Sequence, residues 1–320
     1  MHLTMLAVPG CPNVTLLEQR LAEVLRGRSD ITVSRHEVAD QDQAFRRGMY
    51  GSPALLIDGI DPFASPGQLA SASCRLYRDD QGRTGGAPSV RQLRRAIADP
   101  VTIAADTGGG PWLDALRRDS DRRVAPAERG LRAVHQAVLR SFAATGGPPG
   151  RDQLDQAARP YDSSQAVGEL AAGDYLCLGQ GGGITAAYPF SPAPTPHKVQ
   201  ISGGAVAYAM CAIDALGIAA MLGTPVQITS ADPATGEPVS VAVADNWAVW
   251  EPDTAVVFAG RTAPASDGPS AATCCEYINF FTSQASAAAW ASARPDITGA
   301  ILSQARALET GQRIFGHLLR

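Results

Sequence analysis

At 320 residues with 45% hydrophobic content, the chain is long enough for two or three compact units with a sizeable buried core. A formal net charge of -4 and a pI near 5.7 exclude a dominant polyanion-binding surface, because nucleic-acid affinity rests largely on phosphate neutralisation by Lys and Arg. No run approaches the roughly 20 apolar residues of a membrane span, and the opening MHLTMLAVPG lacks a cationic start and ends in a Pro-Gly turn, unlike a secretory signal; a cytoplasmic location is expected.

A strand-like run (Leu3 to Val8) leads into a helical stripe of Leu16, Leu17, Leu21, Val24 and Leu25, then into strand candidates at Ile31 to Val38 and Ala54 to Ile57. This β-α-β order predicts a small α/β domain over residues 1–100. Pro9-Gly-Cys11-Pro-Asn13 follows the first strand, and Gly51-Ser-Pro53 precedes the third. The unit resembles the thioredoxin-like fold, in which a cysteine sits where a strand gives way to a helix and a cis-proline precedes the facing strand. A helix N-terminus at Cys11 favours a thiolate. A dithiol motif needs a cysteine at position 14, where the sequence has Val14, so Cys11 stands alone locally and Cys74 is the other thiol of this half. A helical pattern from Val90 to Ile97 closes the unit, and Asp99-Pro100 with Asp106 to Pro111 reads as part of a linker over residues 101–125.

From Pro126 to Tyr188 the pattern changes. Leu131, Val134, Val138 and Leu139 form a helical stripe, Gly147-Pro-Pro-Gly150 breaks it, and a shorter helix follows over Arg151 to Ala158. Asp174 to Leu178 and Ile184 to Tyr188 then read as a hairpin, with Gly181-Gly-Gly183 as its turn rather than a phosphate cradle. Helices followed by a hairpin outline a winged-helix-like subdomain over 126–190. Asp152, Asp155, Asp162 and Glu169 dilute the basic residues that a DNA-reading helix presents, so a structural or substrate-covering role is expected.

Residues 191–320 carry the chemistry. Ala205 to Leu222 is rich in Ala, Leu, Ile and Met and stops at Gly223, with Pro225 beyond, which predicts one helix. Val226 to Ser230, Val239 to Val243 and Ala255 to Phe258 read as strands, Asp232-Pro-Ala-Thr-Gly236 as a turn, and a last helix carries Ile301, Ala305 and Leu308. The expected class is α+β.

Six cysteines are too few for a disulfide scaffold and, in a reducing compartment, read as free, catalytic or metal-binding thiols. Tyr208-Ala-Met-Cys-Ala-Ile-Asp214 sets Cys211 and Asp214 three apart, a spacing that shares a helix face. A lone cysteine on such a helix is usually a small core residue. An unpaired carboxylate on the same apolar face is costly to bury, and a place in mid-helix removes N-capping as its explanation. Cys274-Cys275 read as part of a strand would face opposite sides, so one of them can meet Cys211. Two thiolates and a carboxylate suit a soft metal centre at which a proton is delivered. No Ser-His-Asp pattern is visible, and His135 and His317 are expected to be structural.

These residues resemble the alkylmercury lyase (organomercurial lyase) family. The resemblance rests on Val206 to Gly223, Ala234 to Ser240, Cys274-Cys-Glu-Tyr-Ile-Asn-Phe-Phe281 and Gly311 to Leu319, and covers roughly residues 120–320. It implies protonolysis of a carbon-mercury bond without an organic cofactor, giving a hydrocarbon and mercuric ion as bound product. By position it makes Cys211 the thiolate that first takes mercury, Cys274 the second sulfur ligand and Asp214 the proton relay, with Cys275 an inessential neighbour. Exogenous thiols are expected to release the product, and a mercuric reductase or a cellular thiol to accept it. Cys11 is a candidate accessory thiol for that transfer or for keeping the site reduced. Two positions depart from the family pattern: Met210 replaces the aromatic residue that commonly precedes the cysteine, and Asp232 replaces a further cysteine of structural role. The competing readings are a mercuric or copper(I) thiol carrier without turnover, which needs no Asp214, and a thiol oxidoreductase acting through the amino-terminal domain.

Overall fold

In a computed structural model, the structure describes residues 1–320 except 65–67, 69, 80–81, 99–122, 245–246, 263–268 and 320. The expected linker segments Asp99-Pro100 and Asp106 to Pro111 lie outside the described residues. Among the described residues no helix is long and apolar enough to cross a membrane.

The amino-terminal unit has a three-stranded sheet ordered β2-β1-β4, formed by β1 (His2–Ala7), β2 (Thr32–Glu37) and β4 (Ala54–Ile57), with β3 (Tyr50–Ser52) before β4. β1 runs parallel to β2 and antiparallel to β4. Helix α1 (Val14–Val24) buries Val14, Leu17 and Leu21 against this sheet, as the leucine spacing predicts, and packs with α3 (Val90–Ala98) around Leu55, Leu93 and Ile97. The Ser52–Pro53 peptide is cis. A short helix α2 (Gln41–Arg46), capped by Asp40, and strands β5 (Ser71–Cys74), β6 (Tyr77–Arg78) and β7 (Thr84–Gly85) complete the unit.

Helices α4 (Leu131–Thr145), α5 (Arg151–Ala158) and α6 (Ser163–Ala172) come next, followed by the hairpin β8 (Leu176–Leu178) and β9 (Ile184–Ala187). Its turn closes with Gly179 N–H to Gly183 O at 2.9 Å. The hairpin is the edge of an eight-stranded sheet, ordered β15-β14-β13-β11-β12-β10-β9-β8. The other strands are β10 (Phe190–Ser191), β11 (Lys198–Ile201), β12 (Val206–Ala209), β13 (Val226–Ala231), β14 (Pro238–Ala244) and β15 (Trp247–Glu251). β10 pairs with both β9 and β12, so the sheet runs across position 190 without a break.

The segment Ala205 to Leu222 is not one helix. Val206–Ala209 is β12, hydrogen-bonded on one side to β11 and on the other to β10, and helix α7 begins only at Ala212 and ends at Leu222. The alanines that suggested helix carry a weak preference, which two neighbouring strands override. Helix α7 is buried almost all round and lies between the large sheet and a second, three-stranded sheet ordered β17-β16-β18, from β16 (Val256–Thr262), β17 (Ile278–Phe281) and β18 (Ile297–Leu302). Short helix α8 (Ser270–Thr273) and α9 (Gln284–Ser292) flank β17, and α10 (Gln304–Phe315) ends the fold.

Helices α7 and α10 meet backbone to backbone. A Cβ on Gly217 would lie 2.6 Å from Gly311 O and 2.5 Å from Phe315 Cδ2, and one on Gly311 would lie 2.7 Å from Ile213 O. This crossing packs the closing Gly311-to-Phe315 stretch directly against a helix one hundred residues earlier in the chain. The amino-terminal unit packs on the same body: Ile60 joins Val256, Phe258, Phe281 and Trp290 in one apolar cluster. His36 Nε2 lies 2.7 Å from Asp253 Oδ2 at this junction.

Candidate active site

The site is built where β12 ends and α7 starts. Cys211 is the N-cap of α7, with extended backbone (φ -155, ψ 176), and its Sγ accepts a hydrogen bond from Asp214 N–H at 3.4 Å. Asp214 therefore sits in the first turn of the helix rather than its middle, a correction that follows from the late helix start. Both groups lie at the positive end of the helix dipole, which favours negative charge on either.

The adjacent thiols are not on a strand. Cys274 ends α8 (φ -140, ψ -36), and Cys275 opens a 3-10 turn over Cys275–Tyr277 that delivers the chain into β17. The expected strand alternation therefore does not apply. The turn places the Cys275 sulfur, not that of Cys274, within 4.8 Å of both the Cys211 sulfur and an Asp214 oxygen. Among the described residues this is the one group of three or more such side chains close enough to hold a metal ion. Cys275 interacts with both Cys211, whose sulfur lies within 4.8 Å of its own, and its chain neighbour Cys274. Cys274 is half-buried; Cys211, Asp214 and Cys275 are buried.

Burial pushes the Cys211 thiol up to about 11, against a smaller opposing effect of its bond with Cys275. The hydrogen bond with Cys275 raises Cys274, with burial adding to it, and the bond with Cys211 raises Cys275. Burial likewise lifts the Asp214 carboxyl to about 7, with the Arg123 guanidinium pulling the other way. The resting site thus holds its protons on sulfur and, at neutral pH, partly on the carboxyl. Asp214 Oδ2 is buried without a hydrogen-bond partner among the described residues. Such an atom is costly in a purely structural role and useful in a site that passes a proton.

Cys11 is half-buried in the loop between β1 and α1, Cys74 is exposed, and neither joins the cluster. Met210 packs partly buried beside Cys211, its N–H on Pro189 O at 3.0 Å. Asp232 is fully buried: Oδ1 accepts from Ala234 N–H at 2.8 Å, and Oδ2 accepts from both Thr282 N–H and Thr282 Oγ1 at 2.9 Å. It pins the β13–β14 turn to the end of β17, a structural role. His135 is buried in α4 beside Tyr175, and burial lowers it to about 4. Sequence reasoning missed Arg123, Asp174, Tyr188 and Ser270, which surround the thiol turn; their spacing along the chain carries no local signal.

The alkylmercury lyase family model matches residues 190–316. The chain is 33% identical over 103 residues to an alkylmercury lyase of Pseudomonas putida, covering 32% of this chain and 48% of that protein. It is 31% identical over 133 residues to the one of Staphylococcus epidermidis, covering 41% and 59%. To the one of Streptomyces lividans it is 35% identical over 128 residues, covering 39% and 57%. The chain thus spans about half the length of the curated relatives it matches. The crystal structure of the mercury-bound form of MerB2 superposes with a TM-score of 0.51 at 24% identity, over 65% of this chain and 98% of that one, so the fold is shared. Through residues 190–316, the chain is similar to the alkylmercury lyase family.

Proposed function

We propose that the protein is an organomercurial lyase that cleaves carbon-mercury bonds by protonolysis. The observation that carries this reading is the unpartnered Asp214 Oδ2 held against buried thiols in the cluster of Cys211, Asp214 and Cys275. Thiolates favour soft ions and a carboxyl passes protons, and this group offers both within 4.8 Å of one another.

The organomercury cation first exchanges its counter-ligand for Cys211, whose thiol proton leaves with that ligand. A second sulfur then binds mercury and gives its proton to Asp214. Added sulfur donation weakens the carbon-mercury bond. The bond breaks heterolytically, and the Asp214 proton goes to carbon as the hydrocarbon leaves. Mercury stays divalent throughout, held by two sulfurs, and an outside thiol removes it. We assign the second sulfur to Cys274: it is the least buried of the three thiols, it feels the charge of Asp214, and its own charge is felt by Cys211. Cys275, which interacts with both, is then the neighbour that holds both thiols in place.

The amino-terminal unit is read as thioredoxin-like from the β2-β1-β4 order, the loop position of Cys11 and the cis Ser52–Pro53 bond. Its proposed role is to accept mercuric ion or to keep the site reduced through Cys11; unchanged turnover and product release in Cys11→Ser would count against it. Residues 126–190 are read as a winged-helix-like cover, with the catalytic domain over 191–320. A cytoplasmic setting, with a cellular thiol or a mercuric reductase as acceptor, fits the free thiols.

Protonolysis is tested by incubating an arylmercury substrate with the protein and excess small thiol in deuterium oxide. The reading expects arene carrying a single deuterium. Mercury bound tightly with no arene released would make the protein a soft-metal carrier instead.

A further inference from the structure

The turn that presents Cys274 and Cys275 is short, and no long element of its own fixes where it lies. What holds it comes from distant parts of the chain. Arg123 Nη2 donates to Ser270 Oγ at 2.8 Å, and Nη1 donates to the Asp174 carbonyl and, at 3.4 Å, to Asp174 Oδ2. The guanidinium carbon lies 3.9 Å from the centroid of the Tyr188 ring. Asp174 in turn accepts from Ser270 Oγ at 2.6 Å and from Ser270 N–H at 3.2 Å. Tyr188 Oη donates to Asp174 Oδ1 at 3.2 Å and accepts from Ala271 N–H at 2.8 Å. The first turn of α8 is therefore clamped by three side chains.

The clamp reaches the thiols directly. Cys274 N–H and Sγ both donate to Ser270 O, at 3.1 and 3.3 Å. The residue that Arg123 and Asp174 grip is thus the residue that holds the Cys274 thiol. Asp174 adopts a left-handed conformation (φ 58), which aspartate tolerates better than most residues, and this turns its carboxylate back toward α8. Arginine is the residue type for a planar grip of this kind, because its fork donates in fixed directions while its face stacks on an aromatic ring.

We propose that Arg123, with Asp174 and Tyr188 as its partners, is a positioning residue that sets the Cys274–Cys275 turn at the distance from Cys211 needed for mercury to be held by two sulfurs. The proposal rests on the lyase reading for its kinetic consequence, but its structural claim concerns mercury retention alone. Outer partners that orient metal ligands typically change affinity or activity by about 10- to 100-fold when removed. Arg123→Gln removes the fork and the stacked cation. Arg123→Lys keeps the charge but neither the planar stack nor the two-pronged grip. Ser270→Ala removes the two hydroxyl tethers, to Arg123 and to Asp174, and leaves the rest of the clamp.

The test measures benzene release from phenylmercuric chloride with excess thiol, retention of mercuric ion against a competing dithiol, and thermal unfolding, for the intact full-length protein and the three variants. Arg123→Gln is expected to lower kcat by about 10- to 100-fold with KM nearly unchanged, and to lose bound mercury to the competitor faster. Arg123→Lys is expected to fall between, and Ser270→Ala to show a smaller loss at an unchanged melting temperature. Wild-type kcat and retention in both Arg123→Gln and Ser270→Ala would overturn the proposal, as would losses that vanish once activity is corrected for the folded fraction. If the intact protein retains mercury but releases no benzene, the lyase reading fails. The retention comparison then decides the positioning claim by itself: equal retention in the variants overturns it and faster loss supports it.

Discussion

The N–H of Asp214 donates to the sulfur of Cys211 at 3.4 Å, so the residue that caps α7 and the carboxyl beside it are placed by a single helix start. A cysteine is a weak cap compared with Ser, Asp or Asn. Its use at this position puts a thiol next to a carboxyl without needing any contact distant in sequence. In the proposed lyase the working pair is thus local, and only the second sulfur has to be brought from elsewhere.

Replacing the acid should separate binding from turnover. Asp214→Asn keeps the size of the side chain but cannot donate a carboxylic proton, and general acid catalysis typically contributes about 10²- to 10⁴-fold. Hydrocarbon release should fall by that order in Asp214→Asn, while stoichiometric mercury binding, measured by retention after gel filtration, stays near that of the intact protein.

The same carboxyl sets a pH dependence of stability. Burial raises Asp214 to about 7, above its value in the unfolded chain. The folded state thus binds the proton more tightly, so this contribution is fully present below the ordinary carboxylate range and is lost as pH rises toward 7 and beyond. Urea unfolding at pH 5 and pH 8 should show the intact protein losing stability relative to Asp214→Asn by a few kcal/mol on the order expected from linkage. An equal difference between the two proteins at both pH values would contradict the assignment.

The two adjacent thiols should behave differently. With Cys274 as the second sulfur, Cys274→Ala should abolish hydrocarbon release, and Cys275→Ala should lower it by about 100-fold at most, since it removes an orienting contact. The opposite ranking would transfer the role to Cys275, the thiol that lies nearer Cys211 at rest.

The crossing of α7 and α10 predicts a stability effect at Gly311. A methyl group there would meet Ile213 O at 2.7 Å, with backbone rather than a movable side chain in the way. Gly311→Ala should therefore destabilise by about 1–3 kcal/mol, as overpacking does, and lower the melting temperature.

Asp232 gives a comparable prediction by a different mechanism. Asp232→Ala removes the acceptor of Thr282 N–H and Oγ1 and leaves both donors buried, at about 1–3 kcal/mol for each unsatisfied group. Its unfolding midpoint should drop, while the specific activity of the folded fraction stays unchanged.

Much of this architecture was legible in the sequence. The leucine spacing of α1, the Gly-Pro-Pro-Gly break before Arg151 and the glycine turn between β8 and β9 are local signals, and each appears where local chemistry places it. The start of α7 was not legible, because whether Val206 to Ala209 is helix or strand depends on β10 and β11 standing on either side. Helix α6, the edge strand β15 and the pair α9 and β18 were also missed. The Cys211–Asp214 pair was readable because it is made within four residues. The grip of Arg123 on the thiol turn was not, since its partners lie 51 and 147 residues away.

The most direct test of the central claim is product analysis with phenylmercuric chloride and excess thiol, comparing the intact protein with Asp214→Ala. The account predicts benzene from the intact protein, and mercury bound but no benzene from the variant. Benzene formed at equal rates by both would contradict the role of Asp214, and mercury bound without benzene by either would contradict the lyase itself.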